Sequence, residues 1–400
     1  MADNICKNFR KEECCGCGAC VNICPTGALS YGRDQYGFTI PQIEESKCIY
    51  CEKCIDVCPF IQCKNGEGAR IPLRTYAALN KRADEVFRST SGGIFIVLAK
   101  EVILRGGIVV GCTMDSAFKV KHIIVSTEDD LKSLQKSKYV QSDMGYIYRE
   151  VKRTLLQKKK VLFSGTPCEV AAIKRFLGNM DTTDLYLVEV VCHGVPSQEF
   201  FDDYIKNLHD VAGGLKKYTF RIKRKAENGM NWFFSYQREN GESVIKNWPE
   251  DSFNYYYMKS YSYRDGCYQC PFARERRQAD ITLCDYWHWE KYHETKFSPN
   301  ATVSGVLVNT EKGENLFEVL KDHFQMEETK FDDIIRHNGC LQRPSPCPDG
   351  RNNVLNTWKI KGYGYLDREF RRKYKRQIWK YSVMRHVPNS VIRVLHSWRG

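Results

Sequence analysis

Two cysteine runs with the same spacing constrain the N-terminal part of this chain more than any other feature. Both read C-x2-C-x2-C-x3-C-P. The cysteines are Cys14, Cys17, Cys20 and Cys24 in the first run and Cys48, Cys51, Cys54 and Cys58 in the second. In bacterial ferredoxins this spacing lets three cysteines hold one [4Fe–4S] cluster while the fourth ligates the other. Zinc also prefers thiolates, but its sites usually show two separated pairs. The runs therefore predict two clusters close enough to exchange electrons.

The length and composition indicate a large intracellular protein. With 400 residues the chain should form two or three structural units. Residues 1–10 lack the apolar core of a signal peptide, and no run reaches the length of a membrane-spanning helix. We therefore expect a cytoplasmic protein with reduced thiols. The cysteines outside the motifs are Cys6, Cys15, Cys63, Cys112, Cys284, Cys340 and Cys347, and most of them are expected to be ordinary buried or surface thiols. Cys15 could pass for a ligand, but it breaks the spacing that Cys14 satisfies.

The sequence divides into three segments and predicts an α+β fold. Residues 1–65 form the two-cluster ferredoxin domain, in which 28–41 reads as a hairpin. A polar linker at 64–70 leads to a larger domain at 72–345. Strands predicted at 107–111, 161–164 and 185–191 alternate with helices predicted at 95–105 and 168–177, as in a mixed α/β domain. The third segment, 350–400, reads as a basic tail.

Four further cysteines lie far apart in the larger domain. Cys168 and Cys192 each follow a predicted strand, so both thiols could lie at one edge of a sheet. Cys267 and Cys270 form a C-x2-C pair, which fits a zinc half-site, a redox pair or chance. From spacing alone, a shared metal site is suggested but not established.

Several short motifs occur in an order that resembles a known family. They are SGG at 91–93, GGIVVG at 106–111, KSKY at 136–139, GTPCEVAA at 165–172, CHG at 192–194, GCYQCP at 266–271 and ADITLCD at 279–285. In this order they resemble the β subunit of coenzyme F420 hydrogenases and dehydrogenases, whose core also occurs in chlorophyllide hydroxymethyl reductases. The resemblance covers about residues 75–310, with the ferredoxin domain in front as a common fusion.

The resemblance implies that the α/β domain binds FAD and a third [4Fe–4S] cluster. The family's ligands fall on Cys168, Cys192, Cys267 and Cys270. This chain departs from the family at Pro271, Cys284 and Trp287, which puts the shape of the substrate pocket in question but leaves the ligands in place.

The flavin contacts are predicted mainly from the same resemblance, because neither a G-x-G-x-x-G fingerprint nor a Walker A loop is present. The SGG loop precedes a predicted helix and is the candidate phosphate site. Lys138 and Tyr139, with Lys136, could contact phosphate or ring. Asp280 and Asp285 could bind ribose or a flavin edge, although a capping role fits equally well. The predicted cofactor-binding residues are thus Ser91, Gly92, Gly93, Lys138, Tyr139, Asp280 and Asp285. His193 and His288 lie near these motifs, but no catalytic acid or base can be assigned.

Together these parts predict an iron–sulfur flavoprotein oxidoreductase. It would pass electrons between a hydride donor or acceptor, such as a deazaflavin coenzyme or another organic substrate, and a ferredoxin or other redox partner protein. The direction of flow stays open. The alternative is a noncatalytic ferredoxin-type electron-transfer subunit of a larger redox complex, without flavin.

The C-terminal segment is strongly basic. Residues 366–400 contain ten Lys or Arg and two acidic residues, and 370–381 interleaves cations with aromatic residues. Such a segment can lie in an anionic membrane interface, which would make the protein peripheral at the inner face of the membrane. A partner surface and a solvated helix are the other interpretations. Nucleic acid is disfavoured because no recognition motif accompanies the charge.

Overall fold

The computed structural model describes residues 4–7, 10–63, 68–223, 232–299 and 301–384. Within these ranges the N-terminal unit contains the expected antiparallel hairpin. The carboxylate of Asp34 accepts hydrogen bonds from the backbone N–H groups of Tyr36 and Phe38, both at 2.9 Å, and so fixes the turn. The elements are strands β1 (Leu29–Arg33) and β2 (Thr39–Ile43) and helices α1 (Ala19–Ile23), α2 (Lys53–Asp56) and α3 (Pro59–Gln62).

Eight strands of the described residues form the main sheet of the larger unit. They are β3 (Arg74–Asn80), β4 (Ile108–Met114), β5 (Val120–Val125), β6 (Val161–Gly165), β7 (Leu185–Val190), β11 (Ile281–Asp285), β12 (Ser304–Val308) and β13 (Phe324–Glu328). Their order is β13-β3-β12-β11-β7-β6-β4-β5. The four strands β4, β6, β7 and β11 are parallel, and the strands outside them pair antiparallel. The three strands predicted from apolar runs are β4, β6 and β7. Such runs are typical of strands covered on both faces.

Helices cover the sheet and extend to the C-terminal segment. They are α4 (Ala83–Arg88), α5 (Ile94–Leu104), α6 (Leu131–Leu134), α7 (Ile147–Leu156), α8 (Pro167–Leu177), α9 (Gln198–Ala212), α10 (Ser252–Met258), α11 (Glu290–His293), α12 (Glu311–Val319), α13 (Phe331–Ile335), α14 (Arg351–Lys361), α15 (Tyr363–Lys373) and α16 (Lys375–Met384). The two predicted helices are α5 and α8. A capping box between Thr166 and Glu169, with Pro167 in the first turn, fixes where α8 begins.

A second, three-stranded antiparallel sheet supports an aromatic core. Its strands are β8 (Lys217–Ile222), β9 (Phe233–Gln237) and β10 (Ser243–Asn247), in the order β10-β9-β8. The sheet packs with α9, α10, α14 and α15 around buried rings that include Phe200, Phe253 and Trp358.

The first two helices of the C-terminal segment belong to this core. Trp358 of α14 and Phe370 of α15 are each only 1% exposed. The segment predicted as a tail therefore begins as a packed part of the α/β domain. Residues 385–400, which include its apolar stretch at 391–398, lie outside the described residues. In the part of the chain that the structure describes, no helix is long and apolar enough to cross a membrane.

Candidate functional site

The candidate site is a cavity of about 630 Å³ at the carboxyl ends of the parallel strands. This is the edge of an α/β sheet where ligands usually bind, because loops and helix N-termini converge there. Residues that follow β6, β7 and β11 line the cavity, and so do residues from the segment between α10 and β11.

The structure brings the four separated cysteines to this cavity. Cys168 lies in the first turn of α8, and Cys192 follows β7. Cys267 lies in a 3-10 turn at Asp265–Gln269, and Cys270 ends that turn. All four line the cavity. We call them the quartet. They come from three segments that are brought together only by the fold.

The surroundings of the quartet disfavour ionisation of its thiols when no positive charge lies beside them. Burial, followed by the charges of Cys267, Cys168 and Cys270, raises the pKa of Cys192 well above its usual range. Burial raises the pKa of Cys267 to about 11. Among the described residues, no three His, Cys, Asp or Glu side chains converge on a position for a single metal ion. Thiolates gathered around a cavity are a donor set that fits an iron–sulfur cluster, whose positive irons would stabilise them.

Buried arginines hold the Cys267–Cys270 turn in place. Arg351, at the start of α14, donates to the Tyr263 carbonyl at 2.7 Å and pairs with Asp265 at 2.8 Å. Arg264 is 2% exposed and donates to the carbonyl of Cys14 in the ferredoxin unit at 3.1 Å. These residues could not be predicted from the sequence, because nothing around a single arginine shows whether it will be buried.

A buried ion pair fixes the end of the same segment. The Nε of Arg277 lies 2.7 Å from Oε1 of Glu189 on β7, and the side chains are 2% and 0% exposed. Arg277 also donates to the Phe272 carbonyl, close to Cys270, and it lines the cavity. The pair therefore ties the segment that carries Cys270 to the central sheet.

The SGG loop forms another part of the wall. Ser91 and Gly93 line the cavity, and Gly93 has a φ of 77° where α5 begins. Gly92 does not line the cavity. Its N–H donates to Ser304 Oγ at 2.8 Å, and a Cβ there would lie 2.5 Å from the Ala78 carbonyl oxygen. Gly92 is therefore needed for close backbone packing, and its predicted contact with a cofactor has no support in the geometry.

Lysines with lowered pKa values lie near this loop. Lys136 and Lys138 line the cavity, and burial lowers the pKa of both, to about 8 for Lys138. Lys223 donates to the carbonyls of Val86 and Ser91. Burial and the nearby charge of Arg221 lower its pKa to about 7. Lys136 and Lys138 are half-buried, and the Lys138 ammonium also donates to the carbonyls of Ser133 and Gln135. Partly desolvated ammonium groups at the cavity wall favour an anionic ligand, which would offset their loss of hydration.

Aromatic rings form the wall next to the lysines. Tyr139 stacks with Tyr257 and with Trp232, at centroid distances of 4.6 and 6.0 Å, and Trp232 stacks on Trp287 at 6.0 Å. The Arg221 guanidinium lies 4.3 Å from the Trp232 ring centroid. All five residues line the cavity, and their rings offer apolar faces that suit a planar ligand. The sequence motifs included Tyr139 but missed Tyr257, Trp232 and Arg221, which lie between the motifs.

The two predicted aspartates have different surroundings. Asp285 lines the cavity and pairs with Arg221 at 2.6 Å. Asp280 lies outside the cavity lining. Its carboxylate accepts hydrogen bonds from the Leu187 N–H and the Thr310 hydroxyl, both at 2.8 Å. Asp280 therefore links β7 to the start of α12, as the capping interpretation expected, and is not positioned to contact a ligand in the cavity.

The two histidines named from the motifs also differ. His193 lines the cavity, with its Nδ1 3.3 Å from Cys340 Sγ. His288 is exposed, and its ring lies 4.5 Å from that of His337. Of the two, only His193 therefore faces the cavity.

The ferredoxin cysteines surround two smaller cavities. We call the first the inner site, and its cysteines at the ligand positions are Cys14, Cys17, Cys20 and Cys58. We call the second the outer site, and its cysteines are Cys24, Cys48, Cys51 and Cys54. In each site three cysteines of one run meet the fourth cysteine of the other, which is the exchange that the ferredoxin spacing implies.

Two segments of the chain match known protein families. Residues 158–334 match the family model that describes the C terminus of the coenzyme F420 hydrogenase/dehydrogenase beta subunit, and residues 13–61 match the 4Fe-4S dicluster domain. The F subunit of the F(420)H(2) dehydrogenase of Methanosarcina mazei is 19% identical over 350 residues, which cover 82% of this chain and 88% of the relative.

A solved structure, that of the F420-reducing [NiFe] hydrogenase complex from Methanosarcina barkeri, contains a similar chain. It is 17% identical, with a TM-score of 0.45, and the match covers 74% of this chain and 91% of that one. The family consists of oxidoreductase subunits, and the dicluster domain gives this chain an iron–sulfur electron-transfer role. Residues 158–334 of this chain are therefore similar to the C terminus of coenzyme F420 hydrogenase/dehydrogenase beta subunits, and residues 13–61 are similar to 4Fe-4S dicluster domains.

Proposed function

We propose that this protein is an FAD- and iron–sulfur-dependent oxidoreductase. It exchanges electrons between a hydride donor or acceptor, a deazaflavin coenzyme or another organic substrate, and a one-electron redox partner protein. One observation carries the proposal: a single cavity of about 630 Å³ is lined at once by the quartet, by Ser91 and Gly93 of the SGG loop, by half-buried lysines and by stacked aromatic rings.

The quartet is the proposed site of a third [4Fe–4S] cluster. Its thiols are gathered around one cavity, and the inner and outer sites supply two further sets of four cysteines. The three sets together account for all the cysteines predicted as ligands. Of the thiols outside them, Cys15 lies beside both the quartet and the inner site.

The opposite part of the cavity is the proposed FAD site. Ser91 and Gly93 at the start of α5, with Lys136 and Lys138, would hold the phosphates, since helix N-termini and buried cations favour anions. Tyr139 and the tryptophans beside it would flank a planar ring. A flavin bound there would supply the chemistry that links transfer of an electron pair to single-electron transfer. The Arg221–Asp285 pair offers donors and an acceptor to a ring edge or a substrate.

The first experiment is anaerobic purification of the full chain, with iron, sulfide and flavin measured on one sample. The proposal expects about twelve irons and about one FAD per chain, because three [4Fe–4S] clusters hold four irons each. About eight irons with no flavin would contradict it and would favour the noncatalytic electron-transfer subunit. A sample with the expected content would then be assayed with reduced deazaflavin coenzyme and a ferredoxin.

A matched pair of variants sharpens this test. Lys138→Met removes a cavity cation and should lower the flavin content while leaving the iron unchanged. Lys132→Met, on the exposed surface of α6, should change neither. Equal flavin contents in the two variants would count against the proposed phosphate site.

A further inference from the structure

We propose that Arg264 is a positioning residue that joins the inner site to the quartet, and that its charge raises the reduction potentials of the clusters in both sites. The inference rests on the proposed function, because it assumes that the quartet holds a cluster as the inner site does. Arg264 belongs to none of the sequence motifs and lies three residues before Cys267.

Arg264 is hydrogen-bonded to one cysteine of each site. Its Nη1 donates to the carbonyl of Cys14 at 3.1 Å, and its own carbonyl accepts from the N–H of Cys267 at 3.0 Å. Cys14 belongs to the inner site and Cys267 to the quartet. The two loops also lie close together, since a Cβ at Gly266 would be 2.5 Å from the Cys14 carbonyl oxygen. Arg264 therefore lies where the two sites adjoin.

The guanidinium is buried without a carboxylate partner. Arg264 is 2% exposed, and its Nη2 donates to the Thr39 carbonyl and, at 3.2 Å, to Gln141 Oε1. In the described part of the chain its acceptors are all carbonyl or amide oxygens, and its Nε has no acceptor. The neighbouring Asp265 pairs with Arg351 at 2.8 Å. A full positive charge is thus removed from water with only neutral dipoles around it.

The charge of the proposed clusters would compensate this cation. A buried charge without a counter-charge is strongly destabilising, and an arginine does not relieve the cost by losing its proton. A [4Fe–4S] cluster held by four thiolates carries a net negative charge, which increases when the cluster is reduced, and net charge is one of the factors that set its potential. A nearby guanidinium therefore stabilises the reduced form more than the oxidised form and raises the potential.

The outer site provides an internal comparison. None of the residues that Arg264 contacts lines the outer cavity. Because the interaction between charges falls with distance, Arg264 should affect the outer cluster less than the other two. Arg264 itself lines neither the inner-site cavity nor the large cavity, so it acts through its charge and through the loops that it holds.

The test compares the full chain with Arg264→Gln and Arg264→Lys, all purified anaerobically. Both substitutions remove the forked guanidinium, and only the lysine keeps the charge. Iron per chain is measured first, and low-temperature EPR of redox-poised samples then gives the midpoint potential of each cluster. Cys192→Ser and Cys51→Ser remove one cysteine of the quartet and one of the outer site, and so identify the signals. Arg276→Gln, which removes an exposed charge, is the control.

The expected result is a lower potential of the inner and quartet clusters in Arg264→Gln. The equilibrium constant for reduction should fall about tenfold, which corresponds to about 59 mV for a one-electron couple. The outer cluster should shift less, and Arg264→Lys should keep most of the potential that Arg264→Gln loses. Potentials in Arg264→Gln equal to those of the control would overturn the inference. Equal shifts in the glutamine and lysine variants would also overturn it, because the lost contacts and not the charge would then be the cause.

A second variant gives the answer if Arg264→Gln loses its iron. Gln141→Glu keeps Arg264 and places a carboxylate where the amide oxygen now accepts from Nη2. The new ion pair offsets the cation, so the potentials of the inner and quartet clusters should fall relative to that of the outer cluster. Unchanged potentials would overturn the inference. About eight irons in the unmodified protein would contradict the proposed function instead, and the inner cluster alone would then decide the inference.

Discussion

Replacing Arg277 with alanine tests whether the buried ion pair behind the quartet has the structural role assigned to it. The change removes a guanidinium that is 2% exposed and leaves the carboxylate of Glu189, which is 0% exposed, without its cation. The remaining side-chain donor is the Thr282 hydroxyl, 2.9 Å from Oε1. Breaking a buried pair on one side typically costs about 3–5 kcal/mol, because the other charge stays buried.

The expected change in melting temperature follows from the size of the chain. An entropy of unfolding of about 2.1 cal/mol/K per residue gives about 0.84 kcal/mol/K for the 400 residues, so Arg277→Ala should lower Tm by about 4–6 °C. Thermal unfolding of anaerobic samples, followed by circular dichroism, measures this. The control is Arg276→Ala, one residue away and exposed, which should change stability by less than about 0.5 kcal/mol.

A double variant separates the effect on stability of the unpaired charge from the effect of the lost packing. Arg277→Met with Glu189→Gln removes both charges and should recover much of the lost stability, because no uncompensated charge stays buried. The reasoning would be refuted if Arg277→Ala melted within about 1 °C of Arg276→Ala, or if the double variant were no more stable than Arg277→Ala.

Three further predictions address the sites and the core. Cys192→Ser should lower iron from about twelve to about eight per chain in a colorimetric assay, since it removes one ligand of the quartet alone. Lys138 has a pKa lowered to about 8 by burial, so it is charged below that pH. FAD affinity of flavin-depleted protein, measured by fluorescence titration, should fall about tenfold from pH 7 to pH 9, and Lys138→Met should lose that dependence. Trp358→Ala should cost about 3–5 kcal/mol in urea unfolding, whereas Trp379→Ala, 69% exposed, should cost less than about 0.5 kcal/mol.

The parts of the fold that depend on local pattern were predictable. The hairpin at 28–41 and the strands β4, β6 and β7 were confirmed, because alternation, turn residues and apolar runs act over a few residues. The placement of Cys168 and Cys192 at one sheet edge followed from the same reasoning, since each comes directly after a parallel strand. The ligand roles of these cysteines stay predictions.

The contacts that complete the site could not be predicted, since they join distant segments. Glu189 meets Arg277, and Asp285 meets Arg221, across the fold, and neither pair has a sequence signature. Asp280 is a further example. Its place in a family motif suggested a contact with the cofactor, but its carboxylate accepts a hydrogen bond from the backbone N–H of Leu187 on β7. Motif membership indicates which segments approach a site, but the direction of each side chain depends on neighbouring elements.

The composition of the C-terminal segment did not indicate that its first two helices pack in the core. Its cations and aromatic rings predicted an amphipathic surface helix, yet the rings of Trp358 and Phe370 are buried in the core, and the cations at 371–380 are exposed or half-exposed. Arg351, the first residue of α14, also holds the turn that carries Cys267 through Tyr263. A segment that fixes part of the quartet cannot act as an independent anchor without disturbing the site.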